Sequence, residues 1–317
     1  MLKIYIILLY IILMVYISKK RKSRKTKSKS KNKNIKENYI SPELKKCNKT
    51  LIKHENNCQC VNKKGYPSAK IDTCIKTKNN KNCSKYNECK KKFQQFMTVS
   101  NSEPEYNPDP WNKSYVKSSH NCYTYFLDDK IDSLKTKCSK ECEKKQKRER
   151  KKGKKFECPP KNDNRISNCG DLKPQPGDYA YNQGDLSKNN DIYTCKSMEN
   201  KVFQDNLNNN KSVITKVKFT DRCPKGRYKG AIVVDPGKNP KKGNTFHFYR
   251  QDKNMRFSHK PGVLAVENYD ASGDPIYSPE LADRNYNKRK SKKGINYKTF
   301  CGYYCIPNNR TADTNAI

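Results

Sequence analysis

Fifteen cysteines in a chain of 317 residues constrain this fold more than any other feature. A reduced cytosolic enzyme has no use for so many thiols, so disulfides formed in an oxidising space are the default explanation. The number is odd. One thiol is therefore expected to be left over, for an intermolecular bridge or as a reactive group. Structural zinc is the rival use, but the close pairs are Cys58-x-Cys60, Cys138-x3-Cys142 and Cys301-x3-Cys305, and no C-x-x-C occurs. Neither a metal nor another cofactor is expected. Cys47, Cys58, Cys60, Cys74, Cys83 and Cys89 fall where large apolar side chains are scarce, so residues 41–95 are expected to form a small stapled module.

The N-terminus is a second constraint. Residues 1–18 are apolar apart from Lys3 and Ser18. At ~1.5 Å per helical residue they come close to the thickness of a hydrocarbon core, and the expectation is a membrane helix. A cleaved signal segment is the competing reading, opposed by the bulky Val15, Tyr16 and Ile17 where small residues should stand. Residues 19–40 read as a disordered basic stem. The stretch from Lys19 to Asn34 holds ten Lys/Arg and no acid, which with the anchor implies contact with anionic lipids through residues 1–34. Residues 143–157, with nine basic and three acidic side chains, read as a second solvated, disordered run. Nucleic acid is not an expected partner, because no aromatic residues that could stack on bases are interleaved with these charges. The positive-inside rule puts the chain after the anchor in the cytoplasm, while the cysteines argue for an oxidising space. Heavy use of Lys, Asn, Ile and Tyr, the mark of an AT-rich genome, weakens arguments from charge and from the glycosylation triplets at Asn48, Asn82, Asn112, Asn210 and Asn309.

Beyond about residue 111 the texture changes to short apolar runs punctuated by Gly and Pro. Asn121 to Leu134 reads as a helix with one apolar face. Pro176-Gly177-Asp178 turns into a strand at Tyr179 to Tyr181, and Gly230 to Asp235 is a buried strand stopped by Pro236-Gly237. Strands at Thr245 to Gln251 and Met255 to His259 follow. The fold class expected is α+β, with a helix packed on a small antiparallel sheet, an Asn-rich insertion at 185–220 and a disordered tail at 307–317.

The two strands around Asp252-Lys253-Asn254 form a natural hairpin. Centring the turn on Lys253 sets His247 opposite His259 and Tyr249 opposite Phe257, all on one face, close enough for one imidazole to orient the other. Cys122 stands at the start of the helix expected from Asn121. Exposed amides and the helix dipole there favour a thiolate. A helix-borne cysteine, a histidine base and a second residue orienting that base are the parts of a cysteine hydrolase.

These residues resemble the NlpC-type papain-like cysteine peptidases, relatives of the CHAP amidases. Cys122 matches that family's nucleophile, Pro176-Gly177-Asp178-Tyr179-Ala180 its turn and strand, His247 its base and His259 its orienting residue, in the family's order. The resemblance covers about residues 111–306 and departs at Tyr123-Thr124, where the family has Ser-Gly, and in the long interval between Asp178 and His247. It implies a papain-like domain acting on amide bonds of peptide or cell-wall-like substrates. The Cys122 amide, with Tyr115 or Asn121, would meet the oxyanion. Asp252 is the alternative third member, although the register above puts it in the turn. Together with the anchor and composition, the chain is similar to proteins of large DNA viruses. A membrane-tethered thiol hydrolase is the leading expectation. The alternative is a non-catalytic, cysteine-rich membrane or virion protein with a structural or binding role, in which Cys122 is bridged.

Overall fold

A computed structural model describes residues 40–58, 83–96, 102–131, 133–158, 173–179, 193–209, 211–239, 242–288 and 295–308. Its elements in chain order are α1 (Pro42–Cys58), α2 (Cys83–Gln94), α3 (Asp109–Asn112), α4 (Ser114–Ser119), α5 (Cys122–Phe126), α6 (Ser133–Lys151) and α7 (Cys195–Gln204). Then come β1 (Leu207–Asn208), β2 (Lys211–Ser212), β3 (Thr215–Val217), β4 (Arg227–Asn239), β5 (Lys242–Gln251), β6 (Phe257–Ser258), a 3₁₀ turn at Tyr286–Lys288 and β7 (Thr299–Pro307). Five strands form one antiparallel sheet in the order β3-β7-β4-β5-β6, and β1 and β2 make a separate hairpin. The architecture is α+β, built on small antiparallel sheets and several disulfides.

Alternation along the strands divides the core in two. Ala231, Val233, Tyr249 and Tyr303 face a cluster with Leu44, Leu51, Tyr86 and Phe93 of α1 and α2. Ile232, Val234, Phe248 and Tyr304 face Cys122, Tyr123 and Phe126 of α5 and Met198 and Val202 of α7. A bulge in the β4–β7 ladder between Ile232 and Val233 resets the alternation, so that Cys301 shares a cluster with Tyr304 and Ile306 and bridges to Cys195 of α7. Gly230 is needed where α5 crosses the sheet. A Cβ there would stand 2.4 Å from the Ile306 side chain and 2.5 Å from that of Phe126.

Several expectations need correction. No helix of the described residues is long and apolar enough to cross a membrane; the longest, α6, is dense in Lys, Arg and Glu. The membrane helix, and the single-pass membrane placement that followed from it, are therefore set aside. Residues 1–18 and 19–39, with the lipid contacts expected of them, lie outside the described residues. The stapled segment is not a separate unit: α1 and α2, tied by Cys47–Cys89 and Cys58–Cys83, cover one face of the main sheet. The basic run is not disordered through 143–151, since α6 carries it, and Cys142–Cys158 ties the following segment back.

The described part of the Asn-rich segment is structural. It contributes α7, started by a reciprocal Thr194–Ser197 capping box, and strand β3. The helix expected over Asn121 to Leu134 stops at Phe126. Asp128 takes φ 52°, and the Ile131 amide donates to His120 Nε2, turning the chain away. Strand β4 runs on through Pro236, because β7 pairing ends at Val234 and the missing proline N–H deprives no neighbour on that side. The Pro176-Gly177-Asp178 turn forms, with Gly177 at φ 103°, but Ala180 and Tyr181 of the expected strand, and the tail from 309 onward, lie outside the described residues.

Candidate active site

Asn121 is the residue that starts α5. Its side-chain oxygen accepts from the amides of Tyr123 (3.0 Å) and Thr124 (3.2 Å), and the Thr124 hydroxyl accepts from the Asn121 amide (3.1 Å). The Asn121 side-chain nitrogen, Nδ2, donates to the Pro174 carbonyl at 2.6 Å. With both ends of its side chain engaged in holding the backbone, Asn121 is a positioning residue rather than an oxyanion donor. The Cys122 amide is not among those the cap engages. Tyr115, the other oxyanion candidate, belongs to α4, and its side chain lies outside what is described.

Cys122 is the free cysteine of the described residues, the other eleven described cysteines being disulfide-bonded. Its thiol is buried, and burial pushes it up to about 12. The amide of Phe248, the Lys260 ammonium and the amides of Cys122 and Tyr123 act the other way without prevailing. The thiolate expected from the helix start is thus not the resting form. A helix of five residues has little dipole, and desolvation dominates.

Strand β6 pairs with β5 through Arg250↔Ser258 and Gln251↔Phe257, a register two residues away from the one that sets His247 opposite His259. A two-residue shift keeps every side chain on its face, so the histidines still meet: His247 Nε2 lies 2.8 Å from His259 Nδ1. His259 Nε2 lies 3.0 Å from the Tyr269 carbonyl. A carbonyl only accepts, so His259 Nε2 carries hydrogen and His259 Nδ1 is the acceptor; His247 Nε2 is then the donor to it. This fixes the neutral His247 tautomer with its lone pair on Nδ1. Tyr297 stacks on the His247 ring at 5.2 Å and 19°, and Tyr249 meets it edge-on.

Asn121, Cys122, His247 and His259 line one cavity of about 470 Å³, together with Lys173, Gln175, Tyr286 and Tyr297. Asp252 is not there. It is buried in the turn, accepts from Arg250 Nε at 3.1 Å, and is pushed up to about 6 by burial against the pull of Arg250. His120, two residues before Cys122, is buried, bonded to Ser119 Oγ and the Ile131 amide, and held down to about 3 by burial and then by Lys260.

Lys260 was invisible in the sequence. Its buried ammonium donates to the carbonyls of Lys117 (2.7 Å), Gly262 (2.7 Å) and Leu264 (3.3 Å), and burial brings it down to about 7. Nothing in the local pattern separates it from the other lysines; only the adjoining His259 marks its place. Among the described residues, no group of three or more His, Cys, Asp or Glu side chains is arranged to hold a metal.

No model of a known protein family matches the chain, and no solved structure matches it. Over 54 residues, 17% of this chain, it is 48% identical to Insoluble matrix shell protein 1 of Ruditapes philippinarum. The match spans 32% of that protein's length.

Proposed function

We propose that the chain is a thiol-dependent hydrolase of amide bonds, with Cys122 as nucleophile, His247 as general base and His259 orienting that base. The observation that carries this reading is the hydrogen-bond relay from the Tyr269 carbonyl through His259 to His247, beside an unbridged cysteine in the same cavity. A buried thiol near 12 reacts by giving up its proton as it attacks. The Cys122 proton passes to His247 Nδ1 while sulfur bonds to the carbonyl carbon, and the oxyanion is met by the Cys122 amide. His247 then returns the proton to the departing amine as the C–N bond breaks. Water, deprotonated by His247, attacks the thioester, and the sulfur leaves and recovers its proton. The resemblance to NlpC-type peptidases favours peptide or cell-wall-like substrates.

A second reading, a non-catalytic cysteine-rich structural protein, is favoured by the similarity to a shell matrix protein and by the high thiol pKa. The pH dependence of iodoacetamide alkylation at Cys122 separates the two. A thiol coupled to His247 gives a rate that levels between about pH 6 and 9, and His247→Ala abolishes the plateau and lowers any hydrolysis by about 10²–10⁴-fold. Rates that climb about tenfold per pH unit in both proteins would sink the hydrolase and leave the structural reading.

A further inference from the structure

Four large apolar side chains are exposed among the described residues, and two of them, Val263 and Leu264, sit side by side on one turn at the cavity wall, 46% and 42% exposed. Surface apolar residues scattered singly need no explanation, but an adjacent pair facing a cavity beside a candidate nucleophile does. The turn is held in place. Lys260 ties the Gly262 and Leu264 carbonyls to that of Lys117 at the α4 end, the Leu264 amide donates to the Pro261 carbonyl at 2.8 Å, and Gly262 takes φ +51°. A buried ammonium is an expensive way to hold a surface turn, which fits a turn whose position matters.

The chemistry of the wall is one-sided. Phe246, Ile295 and Tyr297 continue the apolar surface, Lys173 is its single charged member, and no acidic side chain lines the described cavity. A basic substrate side chain would find no counter-ion there, and a small polar one would leave the lip wet. Resting on the hydrolase reading, we propose that the Pro261–Leu264 turn is the specificity lip of this site and takes an aliphatic or aromatic side chain of the residue next to the scissile bond. Val263 and Leu264 cover that side chain, and Lys260 is a positioning residue for the lip.

Peptidyl vinyl sulfones carrying Leu, Phe, Ser, Asp or Lys next to the electrophile test this on the full chain. The readouts are the second-order inactivation rate and the mass of the Cys122 adduct. Leu and Phe probes are expected to inactivate about tenfold or more faster than Ser, Asp or Lys probes. The double variant Val263→Ser/Leu264→Ser should remove that preference by slowing the Leu and Phe probes through weaker binding. Equal rates for all probes, or a preference that survives the double variant, overturn the lip while the His247-dependent alkylation plateau stands. Failure of every probe, together with loss of that plateau, overturns the hydrolase reading and the lip with it.

Discussion

The two faces of the main sheet hold themselves together by different means. On one, α1 and α2 are bridged twice and sealed by a buried polar knot in which Arg256 donates to Glu55 (2.9 Å) and Tyr86 and Tyr277 both donate to the same carboxylate. On the other, the five-residue α5 is held by a cap, by Tyr228 donating to the Phe126 carbonyl at 2.7 Å, and by close packing over Gly230. Its cysteine is unbridged. The cavity opens at the edge of β5, where β6 pairs only with Arg250 and Gln251 and α5 packs alongside. On this face the Cys195–Cys301 bridge ties α7 to the sheet and the buried Lys260 holds the neighbouring turn, while α5 itself is placed by its cap and its packing, which leave its cysteine unbridged.

This contrast breaks most visibly at the knot. Arg256→Met leaves the Glu55 carboxyl buried without its guanidinium and should destabilise the protein by about 3–5 kcal/mol in urea unfolding, most of it recovered on adding Glu55→Gln. Cys122 alkylation measured on the remaining folded fraction should be unchanged. A large change there would mean the two faces are not independent.

Acid sharpens the comparison from the other side. His120, behind α5, is held down to about 3 from 6.5 by burial, so between those values the unfolded chain binds a proton that the folded chain refuses. Stability is expected to fall by a few kcal/mol as pH drops from about 6.5 to 3, and His120→Gln should flatten that part of the profile. Identical midpoints against pH for both proteins would contradict the assignment.

The smallest effect expected is at the cap. Asn121→Ala should cost about 1 kcal/mol of stability while slowing Cys122 alkylation several-fold, because the cap fixes the cysteine more than it stabilises the fold. A stability loss with unaltered alkylation would make Asn121 merely structural.

Much of this was legible locally. The buried apolar run GAIVVD, the strand at Thr245 to Gln251 and the parity of the two histidines are properties of neighbouring residues, and that parity survives a register error of two. The missed capping box of Thr194 and Ser197 was equally local, and would have shown that the Asn-rich segment holds a core helix. Lys260, Tyr297 and the docking of α1 on β4 were not legible, since they join residues from distant parts of the chain and depend on which lysine or tyrosine loses its water.

What the sequence by itself determined is the count of thiols, odd and too high for a reducing space, and the alternating strands that commit the chain to an antiparallel α+β fold. Only the tertiary structure decided that, among the described residues, the cysteine left unbridged is Cys122, that burial holds its thiol well above the usual range, and that the histidine relay shares its cavity. Pairing and desolvation are set by distance and packing in three dimensions, which spacing along the chain does not encode.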